Sequence, residues 1–260
     1  MTVVVKQYGE LRTGTNYVRA LLQQNYPNTL VLTYILGDKH SPPVAFDAIW
    51  DEVRHLPDPD LEFARRATYA VRGPASQDGD RTQLAEIRKR AAAVAAAYRD
   101  RSMRFLVTIK DPCAWIVSVA RFQQWVHRDD ETLHDWDCDR VREMCFRYNA
   151  HYASWRELVD ANPERARMIR FEDLLTDAEQ VFTGVERLLG LTRPKAFVDL
   201  AETVEPTVWD HLPVLKSTAQ FDDSYYSGRR YLERLLPEHR AIIASTIDWE
   251  TLSPFGYEPC

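Results

Sequence analysis

The apolar residues of this chain fall into short β-branched runs that alternate with longer segments of helical periodicity. The first run covers residues 2–8 and contains three consecutive valines, which is typical of a strand buried in a sheet. Runs of similar character cover residues 29–36, 103–109 and 167–171. These patterns predict a sheet of four to five strands.

Helical periodicity follows most of the predicted strands. Strands that alternate with helices imply a parallel sheet covered on both faces. We therefore predict a three-layer α/β/α fold with a central parallel sheet, and a length of 260 residues suits a single domain over 1–260. The first predicted helix opens at Asn16. The later ones cover 46–56, 81–101, 112–127, 138–161, 172–189, 194–204 and 231–248, the last interrupted at Pro237.

Composition excludes some classes of protein. The net charge of −6 argues against a general nucleic-acid binder. No apolar stretch approaches the length of a membrane span, and the N-terminus enters a strand without a secretion signal. The four cysteines lack C-x-x-C spacing, which predicts neither a zinc site nor a redox motif, and a reducing cytoplasm fits best. Cys138 and Cys145 are expected to be core thiols rather than a bridge.

A glycine-bounded loop links the first predicted strand to the first predicted helix. Gly9 and Gly14 have the spacing of the nucleotide-binding pattern G-x-x-x-x-G-K-[ST]. The pattern then fails, since Thr15 replaces the lysine and Asn16 replaces the magnesium-binding hydroxyl. A cation is supplied instead by Arg12. The loop is predicted to bind an anionic group without Mg²⁺, and the alternative is a turn that binds nothing.

Polar residues also follow the second predicted strand. Asp38, Lys39 and His40 come after Gly37 and before two prolines. Ligands of parallel sheets lie beyond the carboxyl ends of the strands, so these residues are expected at the same edge as the glycine loop. The alternative is an ordinary polar loop.

Three separated segments resemble the sulfotransferases that use 3′-phosphoadenosine 5′-phosphosulfate (PAPS). The glycine loop resembles their 5′-phosphosulfate loop. Lys110, at the end of the third predicted strand, and Ser118, eight positions later, resemble their 3′-phosphate motif, although the family more often has arginine at the first place. The segment IRFEDLL over 169–175 is similar to a structural segment of many members. The phosphosulfate positions are Arg12, Thr13, Gly14, Thr15, Asn16 and Tyr17.

The resemblance implies a fold, a cofactor and roles for individual residues. It implies PAPS as sulfuryl donor with no metal, the ring of Tyr17 as a stacking surface for adenine, and Lys110 and Ser118 as ligands of the 3′-phosphate. Family members use His or Glu as general base, and His40 is the candidate here, with Lys39 assisting and Asp38 as the carboxylate alternative.

The acceptor and the oligomeric state are left open by the sequence. Irregular segments over 41–80, 120–140 and 205–230 are expected to line an acceptor pocket for a small molecule or carbohydrate. They carry aromatic residues that could instead belong to the core, namely Trp50, Tyr69, Trp125, Trp136, Trp209 and Tyr225. In cytosolic members a late basic loop closes over the nucleotide, for which the segment 227–230 is a loose match, and a solvated helix start is the alternative.

Two other functions compete with sulfuryl transfer. One is a nucleotide kinase of the P-loop class, against which the missing loop lysine argues. The other is a protein that binds PAP or another nucleotide and catalyses no transfer. Affinity for PAP, ATP and GTP separates the kinase from the other two, and transfer to an acceptor separates the sulfotransferase from the binding protein.

Overall fold

Four parallel strands form the central sheet in the described part of the chain. The computed structural model describes residues 2–32, 36, 38–43, 52, 54–57, 59, 92–98, 100–127, 133–199 and 224–260. The strands are β1 (Val3–Gly9), β2 (Thr29–Leu32), β3 (Arg104–Ile109) and β4 (Ala166–Arg170). Their order in the sheet is β2-β1-β3-β4, and each neighbouring pair is parallel.

The strand register brings three strand ends to one edge of the sheet. Gly9 of β1 lies opposite Thr108 of β3, and Ile109 of β3 lies opposite Arg170 of β4. Loops that leave these strands therefore start side by side. The second strand is described over Thr29–Leu32. Of the run predicted to Leu36, residues 33–35 lie outside the described residues, and Leu36 itself lies in a turn.

Helices cover both faces of the sheet. On one face, Val5 and Leu106 pack against Phe182 and other residues of two helices. On the other face, Tyr8 and Val107 belong to a larger aromatic core. This confirms the predicted three-layer α/β/α fold with a parallel sheet. The helices of ten or more residues with described bounds are α1 (Thr15–Asn25), α2 (Pro112–His127), α3 (Cys138–Asp160), α4 (Phe171–Leu189) and α5 (Pro237–Thr246), with α1 and α4 on the first face. Residues 92–98 are helical as well, and single helical turns cover Ser224–Ser227 and Trp249–Leu252.

The helix predicted over 194–204 is wrong for residues 194–199, which are not helical. The side chain of Asn25 holds this segment in another conformation. Its Oδ1 accepts from the Val198 N–H at 2.7 Å, and its Nδ2 donates to the Val198 carbonyl at 2.9 Å. Packing of Phe197 on Phe182 adds to this attachment. Tertiary contacts therefore override local helix propensity here.

Other predicted boundaries hold with small shifts. The helix over 172–189 begins at Phe171 and ends before Gly190, which has a φ of 66°. The segment after residue 229 is a 3₁₀ turn (Arg230–Arg234), and α5 starts afresh at Pro237. Most of the predicted helix over 46–56 and most of the segments 57–80, 81–101 and 205–224 lie outside the described residues.

A disulfide joins Cys113, in the first turn of α2, to Cys260. The two residues are 147 positions apart with Cα atoms 6.7 Å from each other. Of the two remaining cysteines, Cys145 is a buried free thiol, as expected, whereas Cys138 is exposed, so its assignment to the core is wrong. Among the described helices, none has the length and apolar character needed to cross a membrane.

Candidate active site

The loop between β1 and α1 is folded back on itself. The carbonyl of Glu10 accepts from the Thr13 N–H at 3.2 Å and from the Thr13 hydroxyl at 2.7 Å. Arg12, between them, has a φ of 71°. Thr13 is fully buried, so its side chain shapes the loop from inside.

Gly14 closes the loop and starts α1. It has a φ of 80°, and a Cβ atom at this position would lie 2.5 Å from Cδ2 of Phe171. Glycine is therefore required both by the backbone conformation and by the close approach of the ring. The helix begins without a side-chain cap and with no acidic residue in its first turn. Its terminal N–H groups and dipole consequently keep their positive character, which suits an anion.

Three cations gather beside this helix start. The guanidinium of Arg12 lies over the Phe122 ring, 5.0 Å from its centroid. The Nζ of Lys110 lies 3.4 Å from the Arg12 carbonyl. Arg121, on α2, is close enough to help lower the pKa of Lys110, whose burial is the largest cause. We call Arg12, Lys110 and Arg121 the β3 side of the site.

Lys110 is enclosed by aromatic rings. It is 1% exposed, and its Nζ lies 4.5 Å from the centroid of Phe171 and 4.9 Å from that of Tyr226. The same Nζ donates to the Tyr226 hydroxyl at 3.1 Å. Burial lowers the pKa of Lys110 to about 7, and the Glu172 carboxylate opposes this shift. An anion that contacts Lys110 would therefore compete with the Tyr226 hydroxyl for this buried ammonium.

Ser118 lies on the face of α2 that turns toward Arg12. It is partly exposed and precedes Phe122 by four residues, so the two side chains share one face of the helix. Because Phe122 contacts the Arg12 guanidinium, Ser118 is directed to the same side of the molecule. Its role as a phosphate ligand stays a prediction.

A buried carboxyl network supports the turn after β3. Asp111 caps α2 by accepting from the N–H groups of Cys113 at 2.8 Å and Ala114 at 3.0 Å. Glu172 accepts from the Asp111 N–H at 3.0 Å and from the Tyr257 hydroxyl at 2.6 Å. Burial raises the pKa of both carboxyl groups. The segment over 169–175 thus has the structural role expected for it, because it ties the Lys110 turn to the C-terminal region.

A second group of polar residues lies beside β1 on the other flank. The Lys39 carbonyl accepts from the Gly9 N–H at 2.9 Å, and its Nζ donates to Asn16 Oδ1 at 2.7 Å. The loop after β2 is therefore attached both to the end of β1 and to the start of α1. We call Asp38, Lys39 and His40, together with Glu10, the β2 side of the site.

The contacts of His40 define its tautomer. Its Nδ1 lies 2.7 Å from the Gly9 carbonyl oxygen. Because a carbonyl can only accept, Nδ1 carries the proton and Nε2 keeps the lone pair. Burial, assisted by Lys39, lowers the pKa of His40 below its ordinary value. The ring is therefore neutral at pH 7, with Nε2 able to accept a proton.

The other polar groups of this loop are held by their neighbours. The Asp38 carboxylate accepts from the His40 N–H at 2.7 Å, which shapes the turn and favours a structural part for Asp38 over a catalytic one. Burial, assisted by Arg19, lowers the pKa of Lys39 to about 8.

Two residues of the sequence motif face inward. The carbonyl of buried Thr15 accepts from Gln7 Nε2 at 2.7 Å. Tyr17 packs against the core beneath α1 and α4, and its hydroxyl donates to Asp199 Oδ1 at 2.5 Å. The role of Tyr17 in stacking adenine stays a prediction, since these contacts hold the ring in place without defining what its other face meets.

Glu10 is a site residue that the sequence did not reveal. It is fully buried, and its carboxylate contacts Arg147 Nη2 at 2.9 Å and His151 Nδ1 at 2.5 Å. Arg121 and Tyr226 were missed as well. The partners of Glu10 and Tyr226 lie 137 and 116 positions away in the sequence. Of the three residues, only Glu10, an acidic residue inside a loop predicted to bind an anion, carries a local anomaly that could have drawn attention.

The predicted late basic loop has structural contacts. Arg229 donates to the carbonyl of Glu258 at 3.1 Å and lies 3.9 Å from Asp111 Oδ2. Arg229 therefore fastens the C-terminal tail near the Lys110 turn, whereas Arg230 is exposed at the start of the 3₁₀ turn, as the alternative of a solvated helix start expects. Closure of this segment over a nucleotide stays a prediction.

The acceptor-pocket prediction falls mainly on residues that are not described. Trp50, Tyr69 and Trp209 lie outside the described residues, as does the side chain of Trp125. Trp136 is part of the core, at 4% exposure, and Tyr225 is a partly buried residue that packs against this core. Within the described ranges, no group of three or more His, Cys, Asp or Glu side chains could hold a metal ion.

Comparison with known proteins finds similar solved structures. The chain is similar to the sulfotransferase domain of the Synechococcus PCC 7002 olefin synthase, with 13% identity and a TM-score of 0.47 over 99% of this chain and 95% of that chain. It is also similar to a sulfotransferase domain from the curacin biosynthetic pathway, with 16% identity and a TM-score of 0.43 over 100% and 99% of the two chains. No family model and no curated protein matches the chain. At this low likeness, the assignment of function depends on the residues of the site.

Proposed function

We propose that this protein transfers a sulfuryl group from PAPS to a hydroxyl, or an amine, of a small-molecule or carbohydrate acceptor. One observation carries the proposal. An uncapped helix start with Arg12 and Lys110 on one flank has a neutral histidine, His40, bound to Gly9 on the other. An anion site and a proton acceptor thus meet at the end of one strand.

The residues present suit both anionic ends of the donor. Arg12 and the N–H groups that open α1 would hold the 5′-phosphosulfate by charge and hydrogen bonds. Lys110, with Ser118 on the adjacent helix face, would hold the 3′-phosphate. A bound phosphate would restore to Lys110 the charge that burial disfavours. Thr13, Gly14 and Thr15 would shape the loop, and Tyr17 would present its ring to adenine.

The side chains divide the chemistry between them. Nε2 of His40 would take the proton of the acceptor hydroxyl as its oxygen bonds to sulfur. The bond from sulfur to the bridging oxygen would break, and that oxygen would leave with the electron pair as part of PAP. Arg12 and the start of α1 would stabilise the charge on the leaving oxygen, and Lys39 would stabilise the transferring group.

Two features of the chain favour this function over its rivals. Thr15 and Asn16 stand where a P-loop kinase has its lysine and magnesium-binding hydroxyl. A binding protein without catalysis needs no neutral histidine hydrogen-bonded to the phosphate loop, as His40 is. We further propose that residues 1–260 act as one domain, without nucleic acid as partner. The cytoplasmic location stays a prediction, against which the Cys113–Cys260 disulfide weighs.

Calorimetry tests the nucleotide assignment. PAP should bind with micromolar affinity, equally well with and without EDTA, while ATP and GTP should bind far more weakly. Tight binding of ATP that depends on Mg²⁺ would favour the kinase. Transfer of labelled sulfuryl from PAPS to a panel of sugars and phenols then separates an enzyme from a binding protein, which would bind PAP and label nothing.

A further inference from the structure

One face of α3 holds both loops of the site. Arg147, His151 and Trp155 are spaced four residues apart and therefore line one side of the helix. Arg147 and His151 contact the Glu10 carboxylate in the loop after β1. Trp155 Nε1 donates to the Ser41 carbonyl in the loop after β2 at 3.2 Å. The helix thereby fixes the two loops relative to each other.

Glu10 connects α3 to the backbone carbonyl that accepts from His40. Its carboxylate binds Arg147 through two nitrogens, at 2.9 Å and 3.2 Å, and it is fully buried whereas Arg147 is exposed by 44%. The peptide bond that Glu10 shares with Gly9 carries the carbonyl to which His40 donates at 2.7 Å. Movement of the Glu10 side chain would therefore move the acceptor that orients the imidazole.

We propose that Glu10 is a positioning residue for His40, fixing the carbonyl that selects its tautomer and placing a negative charge beside the ring. This inference rests on the proposed function only in naming His40 as the base. A second-row carboxylate that orients a histidine is a known device in acid–base catalysis. Here His40 Nδ1 donates to the Gly9 carbonyl rather than to a carboxylate. The Glu10 carboxylate therefore acts on His40 through the Gly9–Glu10 peptide and through its electrostatic field.

The charged neighbours of both residues define the sign of the effect. On its own loop, His40 is flanked by Lys39, which lowers its pKa, and by Asp38, which raises it. From β1, Glu10 also raises the pKa of His40, and the Gly9 carbonyl acts in the same direction. From α3, the groups that face Glu10 are Arg147, His151 and the Tyr152 hydroxyl.

Titration of the histidines by NMR tests the proposal without any substrate. In protein labelled with [13C]histidine, the His40 signal is assigned by its loss in His40→Asn. Glu10→Gln keeps the side-chain shape and removes the charge, so the pKa of His40 should fall further below its wild-type value. Arg147→Gln removes the cation that neutralises Glu10 and should raise the pKa of His40. Glu10→Asp, which restores the charge, should return the pKa toward that of the wild type.

Loss of local structure gives a different result. A loosened loop would hydrate His40 and move its pKa up toward the ordinary value of about 6.5 in Glu10→Gln. That result, or an unchanged pKa with an unchanged Nδ1-protonated tautomer, would overturn the proposal. Arg142→Gln, whose partner Asp139 lies on the surface of α3, is the matched control and should shift nothing. Failure of PAP to bind would leave this test intact, so the two proposals fail separately.

Discussion

The two sides of the site differ in how far their charged side chains are paired. On the β2 side, Glu10 is paired with Arg147, with His151 Nδ1 beside it, and Lys39 donates to the Asn16 amide. On the β3 side, neither Arg12 nor Arg121 lies within ion-pair distance of a carboxylate in the described part of the chain, and Lys110 has only oxygens of Tyr226 and the backbone as hydrogen-bond acceptors. Among the described residues, the Glu10 carboxylate on the β2 side therefore has a cationic partner, whereas Arg12 and Arg121 on the β3 side have no carboxylate partner.

This difference separates positioning from binding. A charge that is already paired gains little interaction energy when a ligand binds. The paired groups of the β2 side are therefore suited to hold the loops in one geometry. Cations kept close together repel each other and gain most when an anion binds. Substitutions on the two sides should therefore fail in different measurements, and the following variants sharpen or break that distinction.

The largest effect is expected on the β2 side. His40→Ala should lower the transfer rate by about 10²–10⁴, the usual contribution of a positioned base, and leave the Kd of PAP nearly unchanged. The acidic limb of the pH–rate profile should disappear with the side chain. Rates measured from pH 5 to 9, beside calorimetry with PAP, check both statements. A weakened Kd with a normal rate would assign His40 to binding instead.

Arg12→Ala should have the next largest effect, on the β3 side. Removal of one group that stabilises the leaving oxygen costs about 10²–10³ in rate, and PAP should bind more weakly as well. The melting temperature should hardly change, because Arg12 is exposed and contributes only a ring contact with Phe122. Arg187→Ala, at the exposed end of α4, is a control and should keep the wild-type rate and affinity. Wild-type rates in Arg12→Ala would place the phosphosulfate elsewhere.

Lys110→Ala should weaken PAP binding by about 1–3 kcal/mol, the worth of a hydrogen bond to a charged group. The wild-type affinity should also decline as the pH rises above 7. The reason is that burial lowers the pKa of the free lysine to about 7, and the phosphate binds its protonated form. Lys110→Arg should remove this decline between pH 7 and 9. The affinity of a nucleotide without the 3′-phosphate should be unchanged by both substitutions.

The smallest effect concerns Tyr226, whose hydroxyl accepts from Lys110. Tyr226→Phe keeps the ring and removes the oxygen with which a phosphate would compete for Lys110. PAP affinity should therefore increase by about 0.5–1.5 kcal/mol, the net contribution of one hydrogen bond. Calorimetry measures the change, with Tyr225→Phe as control. A decrease would mean that the hydroxyl contacts the nucleotide directly.

The sequence was sufficient to predict the parts of the site that are local. The strand ends, the glycine loop and the polar run after β2 are continuous segments, and parallel strands bring their carboxyl ends together whatever the details. Lys39 and His40 consequently lie beside Gly9 and Asn16 as expected.

Contacts between distant segments could not be predicted in this way. Glu10 meets Arg147 across 137 positions, and Lys110 meets Tyr226 across 116. Nothing in the periodicity of α3 indicates which of its polar residues turn inward. The non-helical course of 194–199 has the same origin, since it depends on the amide of Asn25, 173 positions before Val198.

The disulfide between Cys113 and Cys260 makes the chain from α2 onward a covalent ring. A ring of this size restricts the unfolded chain far more than the folded one, and loop-closure entropy puts the stabilisation at about 5 kcal/mol. The net stability of a whole domain is only about 5–15 kcal/mol. Reduction of the disulfide would therefore remove a large part of the free energy of unfolding, and the C-terminal tail would lose its covalent attachment to α2.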